Sequence, residues 1–255
     1  MPIGQFPLEF HTIFEFLAIG LGFRLYLARS KGRSSLPENK RYPLIAGALL
    51  GALIGAKAVV ALNHPEIWNS GCLDLLASGK GLVGALVFGW LFVELAKLFA
   101  GIKEKTGDTF VEPLLLGICL GRIGCFLSGK FDQTYGIASP DFNLLGRTIN
   151  LGVDFGDGVL RHPCQLYEIA ALLIFWLWLA MNRNIPLFSE AGMQFRCFML
   201  YYMAFRFCID FFKPVPHLYC GLNAEQIFCL PVVIICLGSI IWKLAGPPAK
   251  KFMRS

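Results

Sequence analysis

Seven long apolar segments constrain the fold of this chain more than any other feature of its sequence. A helix advances about 1.5 Å per residue, so roughly 17 to 25 apolar residues cross the ~30 Å hydrocarbon core of a bilayer. Hydrophobic residues make up 56% of the chain and charged residues 16%, a balance that excludes an ordinary soluble domain. The sequence predicts an all-α membrane protein, residues 1–255 forming one polytopic domain, with seven transmembrane helices over 8–29, 42–62, 81–100, 110–129, 163–181, 193–212 and 225–244.

The distribution of Lys and Arg predicts how these helices are oriented, because short cytoplasmic loops of membrane proteins retain basic residues. Segment 29–41 contains five Lys or Arg residues and one Glu, and segment 249–255 contains three more. Lys103, Lys105 and Arg183 fall in short loops on the same predicted side. Seven crossings then place the N-terminus outside and the C-terminus in the cytoplasm. Basic loops that face anionic lipid account for the formal net charge of +6, so no nucleic acid partner is predicted.

Cysteine and histidine usage predicts neither a disulfide framework nor a metal site. The nine cysteines lie mostly inside the apolar segments and contain no CxxC pair, so we interpret them as small packing residues. His11, His64 and His217 are scattered without the spacing of metal ligands. The sequence therefore predicts no metal and no cofactor.

A polar stripe runs along the sixth apolar segment, which contains "YYMAFRFCIDFFKP". A charge inside hydrocarbon costs at least ~2.5 kcal/mol and is kept mainly where it has a partner or a wet cavity. Helical spacing places four polar side chains on one face that is directed to the bundle interior: Tyr202, Arg206, Asp210 and Lys213. Two interpretations stay open. The first is a purely structural ladder of charges; in the second, Arg206 binds an anion, Asp210 orients it and the Tyr202 hydroxyl donates to it.

A second arginine, Arg122, lies in "GRIGCFLSGK" near the end of the fourth apolar segment. Glycines around it, Gly124 among them, let a neighbouring backbone or a lipid headgroup approach closely. The string "RHPCQLYE" then begins the fifth segment, with His162 at its rim and with Gln165 and Glu168 on one face. Because arginine forks bind phosphate oxygens through two hydrogen bonds, this polar set predicts a phospholipid headgroup site in the outer half of the membrane.

The segment 130–161 is too long for a simple turn between two helices. It contains "INLGVDFGDG", whose alternating apolar residues and glycine-rich end predict a short strand and a hairpin. We expect this extracytoplasmic loop to form a small subdomain that covers the mouth of the polar cavity and contacts a polypeptide acceptor. A purely structural loop is the alternative interpretation.

Three motifs, "GRIGCFLSG", "RHPCQLYE" and "YMAFRFCIDFFKP", resemble in the same order the motifs of the phosphatidylglycerol:prolipoprotein diacylglyceryl transferase family. The resemblance covers nearly the whole chain. It implies a multi-pass enzyme of the bacterial inner membrane that transfers diacylglyceryl from phosphatidylglycerol to the lipobox cysteine thiol of a prolipoprotein, releasing glycerol phosphate. The implied partners are phosphatidylglycerol, the prolipoprotein signal peptide with its lipobox, and membrane lipid.

Carried over residue by residue, the resemblance implies a catalytic group and a substrate-binding group. The catalytic residues are Arg122, Arg206, Glu168 and Tyr202. The substrate-binding residues are His162, Gln165, Asp210, Lys213, Gly124 and Cys125.

Three positions depart from the family pattern. Cys125 stands where the family has asparagine, Lys130 replaces a glutamate, and Val83 occupies the position of the histidine proposed as the base. A thiol with a pKa near 8.5 is mostly protonated at neutral pH, so another group has to accept its proton. The candidates are the leaving phosphate itself or one of Glu168, His162, Glu94 and Glu15.

These departures leave two further interpretations open beside the parent reaction. The chain is then a divergent paralogue that acts on another acceptor, or a protein that binds or transports anionic lipid without chemistry. Loss of the histidine and gain of Lys130 favour the second of these.

Overall fold

The computed structural model describes residues 6–33, 38–69, 74–75, 79–132, 134–140, 142–144 and 147–245. Seven long helices dominate these residues: α1 (Leu8–Arg33), α2 (Glu38–Asn63), α3 (Leu82–Ala100), α4 (Asp108–Leu127), α5 (Cys164–Met181), α6 (Met193–Ile209) and α7 (Ala224–Ala245). Six of the helices in this described part are long and apolar enough to cross a membrane. Helix α6, with 17 residues, is not among the six. The prediction of a helical membrane protein is therefore confirmed in this coarser form.

The short elements lie between the long helices. Single helical turns cover Pro65–Asn69, Gly129–Asp132, Pro186–Ser189 and Asp210–Phe212. Two antiparallel hairpins occupy the segment before α5: β1 (Phe142–Leu144) pairs with β2 (Arg147–Ile149), and β3 (Val153–Asp154) pairs with β4 (Leu160–Arg161).

Helices α2 and α3 pack backbone against backbone along a row of glycines. Gly47, Gly51 and Gly55 recur every fourth residue, so they share one face of α2. A Cβ atom on Gly55 would lie 2.1 Å from the carbonyl oxygen of Gly84, and one on Gly51 would lie 2.3 Å from that of Phe88. Small residues at this spacing let two membrane helices approach closely, because no side chain separates them.

Helices α1 and α4 form a second antiparallel pair. Near the end where α1 begins, Gly124 faces the Cβ atom of Phe14; further along, Gly22 faces the carbonyl of Pro113. At the other end, the buried carboxylate of Glu112 forms salt bridges with Arg29 and, at 3.0 Å, with Arg183. The same carboxylate thus connects α1, α4 and the turn after α5.

A buried apolar cluster lies where α3 to α7 meet. Its members include Leu115, Leu172, Phe198 and Met199, and Tyr202 contributes its ring to the same cluster. The ring of Phe198 stacks on that of Tyr202 at a centroid distance of 5.8 Å. This packing holds the polar stripe of α6 against α4 and α5.

The hairpin β3–β4 is attached to the end of α4 by one buried aromatic ring. Phe155 stacks on Tyr135 at 5.0 Å and meets Phe126 edge-on at 5.9 Å. A Cβ atom on Gly129 would lie 2.4 Å from the Phe155 ring, so glycine leaves the space that this ring fills. The Asp154 carboxylate accepts three backbone N–H groups of the turn that follows it.

Candidate functional site

Side chains from four parts of the fold form one buried group of charges. We call it the charge cluster; it comprises Arg122 of α4, Glu168 of α5, Arg206 of α6, Asp210 and Lys213 just beyond α6, and Glu225 of α7. Arg122 lies near the end of α4 and Arg206 in the last turn of α6, whereas Glu168 lies near the start of α5 and Glu225 in the first turn of α7. All six charges therefore lie near one end of the bundle.

Glu168 occupies the centre of the charge cluster. Its Oε2 lies 2.9 Å from Nε of Arg122 and accepts a hydrogen bond of 3.1 Å from Nη1 of Arg206. Its Oε1 accepts a hydrogen bond of 2.5 Å from the Tyr202 hydroxyl. The Glu168 side chain is only 1% exposed, so the carboxylate fixes both guanidinium groups away from bulk water. Hydrogen bonds to ionised groups are among the stronger ones in proteins.

The spacing on α6 produces the ion pairs beyond Arg206. Nη2 of Arg206 forms salt bridges with Glu225 and, at 2.9 Å, with Oδ1 of Asp210. Lys213 reaches the same Asp210 oxygen at 3.3 Å. Helix α6 ends at Ile209 and tightens into a helical turn, which keeps Asp210 on the Arg206 face. The sequence-derived ladder of three charges is thus present as contacts, while its role stays a prediction.

Glu225 belongs to the charge cluster but was not predicted from the sequence. It lies in the first turn of α7, where an acidic residue is commonly explained by the helix dipole. Asn223 and Gln226, which lie on either side of Glu225 in sequence, form a reciprocal capping box, in which each side-chain oxygen accepts the other residue's backbone N–H. The string "NAEQ" therefore predicts a helix start, and only the tertiary packing of α7 on α6 brings Glu225 to Arg206.

The remaining predicted residues surround the cluster at different depths. Gln165 is buried; its Nε2 donates to Thr134 at 3.0 Å, and its Oε1 has no hydrogen-bond partner among the described residues. His162 shares a hydrogen bond of 3.2 Å with the Tyr167 hydroxyl at the start of α5. Cys125 is buried, with Sγ 3.9 Å from Nη1 of Arg122.

Gly124 faces helix α1. The backbone of His11 and the side chain of Phe14 lie against the position that a Cβ atom of Gly124 would take. The close approach allowed by this glycine is therefore made by a neighbouring helix in this structure.

Val83 lies inside the apolar cluster and is 0% exposed. It supplies no group that accepts a proton. Of the alternative bases, Glu94 pairs with Lys97 near the far end of α3, and Glu15 of α1 pairs with the exposed Lys80. Among the described residues, the carboxylates adjacent to the two arginines are those of the charge cluster itself.

The charge cluster is balanced but keeps hydrogen-bond donors for a ligand. Arg122, Arg206 and Lys213 oppose the three carboxylates of Glu168, Asp210 and Glu225. The Arg122 side chain is 11% exposed, and only its Nε lies against Glu168, so its terminal nitrogens can bind an anion. Two guanidinium groups fixed on one carboxylate suit a phosphate diester, whose oxygens accept paired hydrogen bonds.

Comparisons with known proteins identify similar chains. A family model described as prolipoprotein diacylglyceryl transferase matches residues 1–242. A phosphatidylglycerol--prolipoprotein diacylglyceryl transferase of Oleidesulfovibrio alaskensis is 33% identical over 213 residues, covering 76% of this chain and 69% of the relative. The protein of the same name from Pseudoalteromonas atlantica is 31% identical over 268 residues, covering 94% and 86%. That from Cupriavidus pinatubonensis is 30% identical over 217 residues, covering 78% and 69%.

Proposed function

The chain belongs to the prolipoprotein diacylglyceryl transferase family, and on that basis we propose that it transfers diacylglyceryl from phosphatidylglycerol to a prolipoprotein lipobox thiol. The observation that carries this proposal is the pair of arginines, Arg122 and Arg206, held on one buried carboxylate, Glu168. The protein is accordingly a transferase that acts in lipoprotein biogenesis.

The geometry supports a single displacement reaction. The guanidinium groups of Arg122 and Arg206 bind the phosphate of phosphatidylglycerol, with Tyr202 and Glu168 holding them in place. The lipobox sulfur attacks the glyceryl carbon that bears the phosphate, the carbon–oxygen bond breaks, and glycerol phosphate leaves with the electron pair. Fixed positive charge at the departing phosphate stabilises the transition state, which is commonly the largest catalytic contribution.

The proposed setting is the bacterial inner membrane. Helix α6 then crosses it in addition to the six long apolar helices, which gives seven crossings. Basic residues of segment 29–41 and of the α3–α4 loop then face the cytoplasm, and the N-terminus lies outside. The charge cluster lies in the outer half of the bilayer, where both substrates are anchored. Segment 130–161 forms the extracytoplasmic cover; its β3–β4 hairpin, docked on the end of α4 through Phe155, supports that role.

Complementation tests the proposed reaction directly. Expression in a bacterium depleted of its own transferase is expected to restore lipoprotein whose N-terminal cysteine peptide carries the mass of a diacylglyceryl group. Purified protein with phosphatidylglycerol and a lipobox peptide is expected to release glycerol phosphate. The Arg122→Ala variant is the matched control, because it removes a phosphate ligand and is expected to insert normally.

A second candidate function, a lipid-binding protein without chemistry, is favoured by the apolar Val83 at the family histidine position. It predicts tight binding of phosphatidylglycerol with no glycerol phosphate release for any thiol acceptor. Release with a thiol other than the lipobox peptide instead indicates a paralogue with a different acceptor.

A further inference from the structure

A cavity lies along helix α3, and its basic end lies at the end of the bundle opposite the charge cluster. It encloses about 680 Å³ between α2, α3, α4 and the start of α6. Phe110 and Phe195 line it from the first turns of α4 and α6. Arg122 and Arg206 lie near the other ends of the same two helices, roughly 17 Å away along their axes. On α4 and α6 the cavity lining is therefore far from the two arginines, while on α3 it includes Leu86, which belongs to the same apolar cluster as Tyr202.

The walls of the cavity suit an acyl chain. They are formed mainly by small and apolar side chains, among them Ala52, Leu86, Val93 and Leu114. The cavity volume lies within the ~300 to 1,000 Å³ typical of small-molecule pockets. Its lining on α3 extends from Leu82 to Lys97, roughly 22 Å along the helix axis, so the space is elongated. Lipid acyl chains are the elongated apolar molecules that surround any membrane protein.

One end of the cavity is basic. Its lining includes the four cations Lys97, Lys103, Lys105 and Arg196 and the single carboxylate Glu94. Lys97 is salt-bridged to Glu94 at 2.9 Å. The other three have no salt bridge to the described residues. Basic pockets between transmembrane helices at the cytoplasmic face bind anionic headgroups.

Two carboxylates near this rim have other partners. Asp108 accepts the backbone N–H groups of Gly192 at 2.6 Å and Phe195 at 2.9 Å. Glu190 forms a salt bridge of 3.0 Å with Lys243. The hydrogen bond from Lys243 and, to a smaller extent, the charge of Lys105 lower the pKa of the Glu190 carboxyl, but the cavity lining itself contains four cations and one carboxylate, so its net charge is positive.

We propose that this cavity binds one acyl chain of an anionic phospholipid of the inner leaflet, with the lipid phosphate on the rim formed by Lys103, Lys105 and Arg196. The assignment to the inner leaflet rests on the membrane orientation proposed above. The site is independent of the catalytic reaction, since it involves none of the charge cluster.

Trp90 provides a local probe because it lines the cavity. Phosphatidylglycerol with brominated acyl chains, titrated into detergent-solubilised protein, is expected to quench the Trp90 emission, obtained as the difference from Trp90→Phe. Brominated phosphatidylcholine, which has no net charge, is expected to quench it less effectively, by about fivefold for each rim lysine that contacts the anionic headgroup. Trp242, exposed on α7, reports bulk lipid and should respond equally to both. The same titration in Arg122→Ala excludes quenching by lipid bound at the catalytic site.

Reversing the charge of the rim lysines tests whether they cause the preference for phosphatidylglycerol. Lys103→Glu/Lys105→Glu is expected to remove the preference for phosphatidylglycerol, whereas Lys40→Glu, an exposed lysine at the same end of the bundle, is expected to keep it. Equal quenching by both lipids, no quenching, or an unchanged preference after charge reversal would each overturn the proposal. If Trp90→Phe does not fold, native mass spectrometry of anionic lipid retained by the Arg122→Ala protein and its charge-reversed form gives the same comparison.

A different observation concerns the proton of the acceptor thiol, and it rests on the proposed transfer reaction. Three carboxylates contact Arg206, but they differ in exposure: the side chains of Glu168 and Asp210 are 1% and 0% exposed, and that of Glu225 is 17% exposed. Glu168 is fully engaged by two arginines and a tyrosine. A general base has to reach the proton that it removes. Only Glu225 of the three meets this condition.

We infer that Glu225 accepts the thiol proton when the sulfur attacks. A phosphate bound to Arg206 competes with Glu225 for Nη2, which frees the carboxylate next to the reacting carbon. The S–H proton passes to Glu225 as the carbon–sulfur bond forms and the carbon–oxygen bond breaks. The proton then leaves to water or to the departing glycerol phosphate. Glu225 would thus take the role of the family histidine, whose position Val83 occupies.

The Glu225→Gln variant tests the inference with two acceptors. It is expected to slow transfer to a cysteine lipobox peptide by about 100-fold or more, because general bases contribute ~10² to 10⁴. The rate of transfer to a selenocysteine peptide, whose selenol is already ionised at neutral pH, is expected to fall far less. Glu190→Gln, an exposed glutamate at the other end of the bundle, is the matched control with unchanged rates.

The outcomes separate this inference from the proposed function. Equal loss with both peptides would make Glu225 a positioning residue, and no loss would remove it from the mechanism; either result overturns the inference. A wild-type protein that modifies neither peptide instead contradicts the proposed transfer itself.

Discussion

At the scale of single residues, one carboxylate organises the site. Glu168 contacts both arginines and the Tyr202 hydroxyl, so removing any one of these partners leaves buried polar atoms without their bonds. Arginine and lysine are not equivalent in such a place, because lysine offers a point charge and arginine a planar fork.

Lysine is therefore not expected to replace either arginine. Arg122→Lys and Arg206→Lys should each lower kcat/KM by about 100-fold or more, the loss typical when a fixed donor to a developing negative charge is removed. Release of glycerol phosphate from phosphatidylglycerol measures the effect. Near-normal rates in both variants would contradict bidentate recognition of the phosphate.

Asp210→Asn should destabilise the folded protein. Asp210 is completely buried between Arg206 and Lys213, and breaking a buried ion pair costs about 3 to 5 kcal/mol. The midpoint of thermal unfolding in detergent is expected to fall. Glu190→Gln removes an exposed pair and serves as control, with little expected change in the midpoint. An unchanged midpoint for Asp210→Asn would show that the ladder is incidental.

At the scale of elements, two contacts decide where the helices and the hairpin lie. The glycine row of α2 fixes its distance from α3, and the Phe155 ring fixes the hairpin β3–β4 on α4. Both depend on the absence of a side chain at a glycine.

Gly55→Ala is expected to lower stability by about 1 to 3 kcal/mol, because its Cβ would meet the Gly84 carbonyl oxygen at 2.1 Å, and backbone yields less easily than a side chain. Gly20→Ala is the matched control: it makes the same substitution in α1, where no atom lies within 4 Å of the new Cβ. Thermal unfolding of both variants in one detergent provides the measurement. Equal midpoints would mean that α2 and α3 adjust without loss.

The hairpin carries an ion pair whose pH dependence has a definite sign. Two hydrogen bonds from Arg161 hold the pKa of the exposed Asp157 carboxyl below its usual range. Because the folded pKa is depressed, the stabilisation is complete above the ordinary aspartate pKa of about 3.9 and is lost as the pH falls through the lower, folded value. NMR titration of the labelled carboxyl carbon measures the pKa. Arg161→Gln is expected to raise it toward the ordinary value; no change in that variant would assign the shift to the turn backbone instead.

At the scale of the whole molecule, the two ends of the bundle differ in chemistry. One end contains the charge cluster and the hairpins, and the other contains Glu112 with its arginines and the basic rim of the apolar cavity. This asymmetry fits a membrane protein whose substrates approach from one side.

The proposed orientation predicts which loops are accessible from outside. A peptide tag inserted after Gly158, in the β3–β4 turn, should be cleaved by protease in intact spheroplasts. The same tag inserted after Lys103, in the α3–α4 loop, should be cleaved only after the membrane is opened. The reverse pattern would invert the topology, and cleavage of both tags in intact cells would contradict an odd number of crossings between them.

The sequence by itself determined the helical membrane architecture and much of the site. Long apolar segments locate the helices within a few residues because hydrophobicity is a local property, and the spacing of Arg206, Asp210 and Lys213 places them on one face because helical geometry is fixed. The basic loops likewise predict which end of the bundle faces the cytoplasm. Both arginines also lie within the family motifs, which are read from the sequence alone.

The tertiary structure alone decided which residues from different helices meet. Glu225 carries an ordinary helix-start signal, and only the packing of α7 on α6 brings it to Arg206. Gly124 faces α1, Val83 lies in the apolar cluster, and the apolar cavity lies between the start of α6 and the three helices α2, α3 and α4. These are long-range contacts, which depend on how several helices pack together, and no local pattern in the chain encodes them.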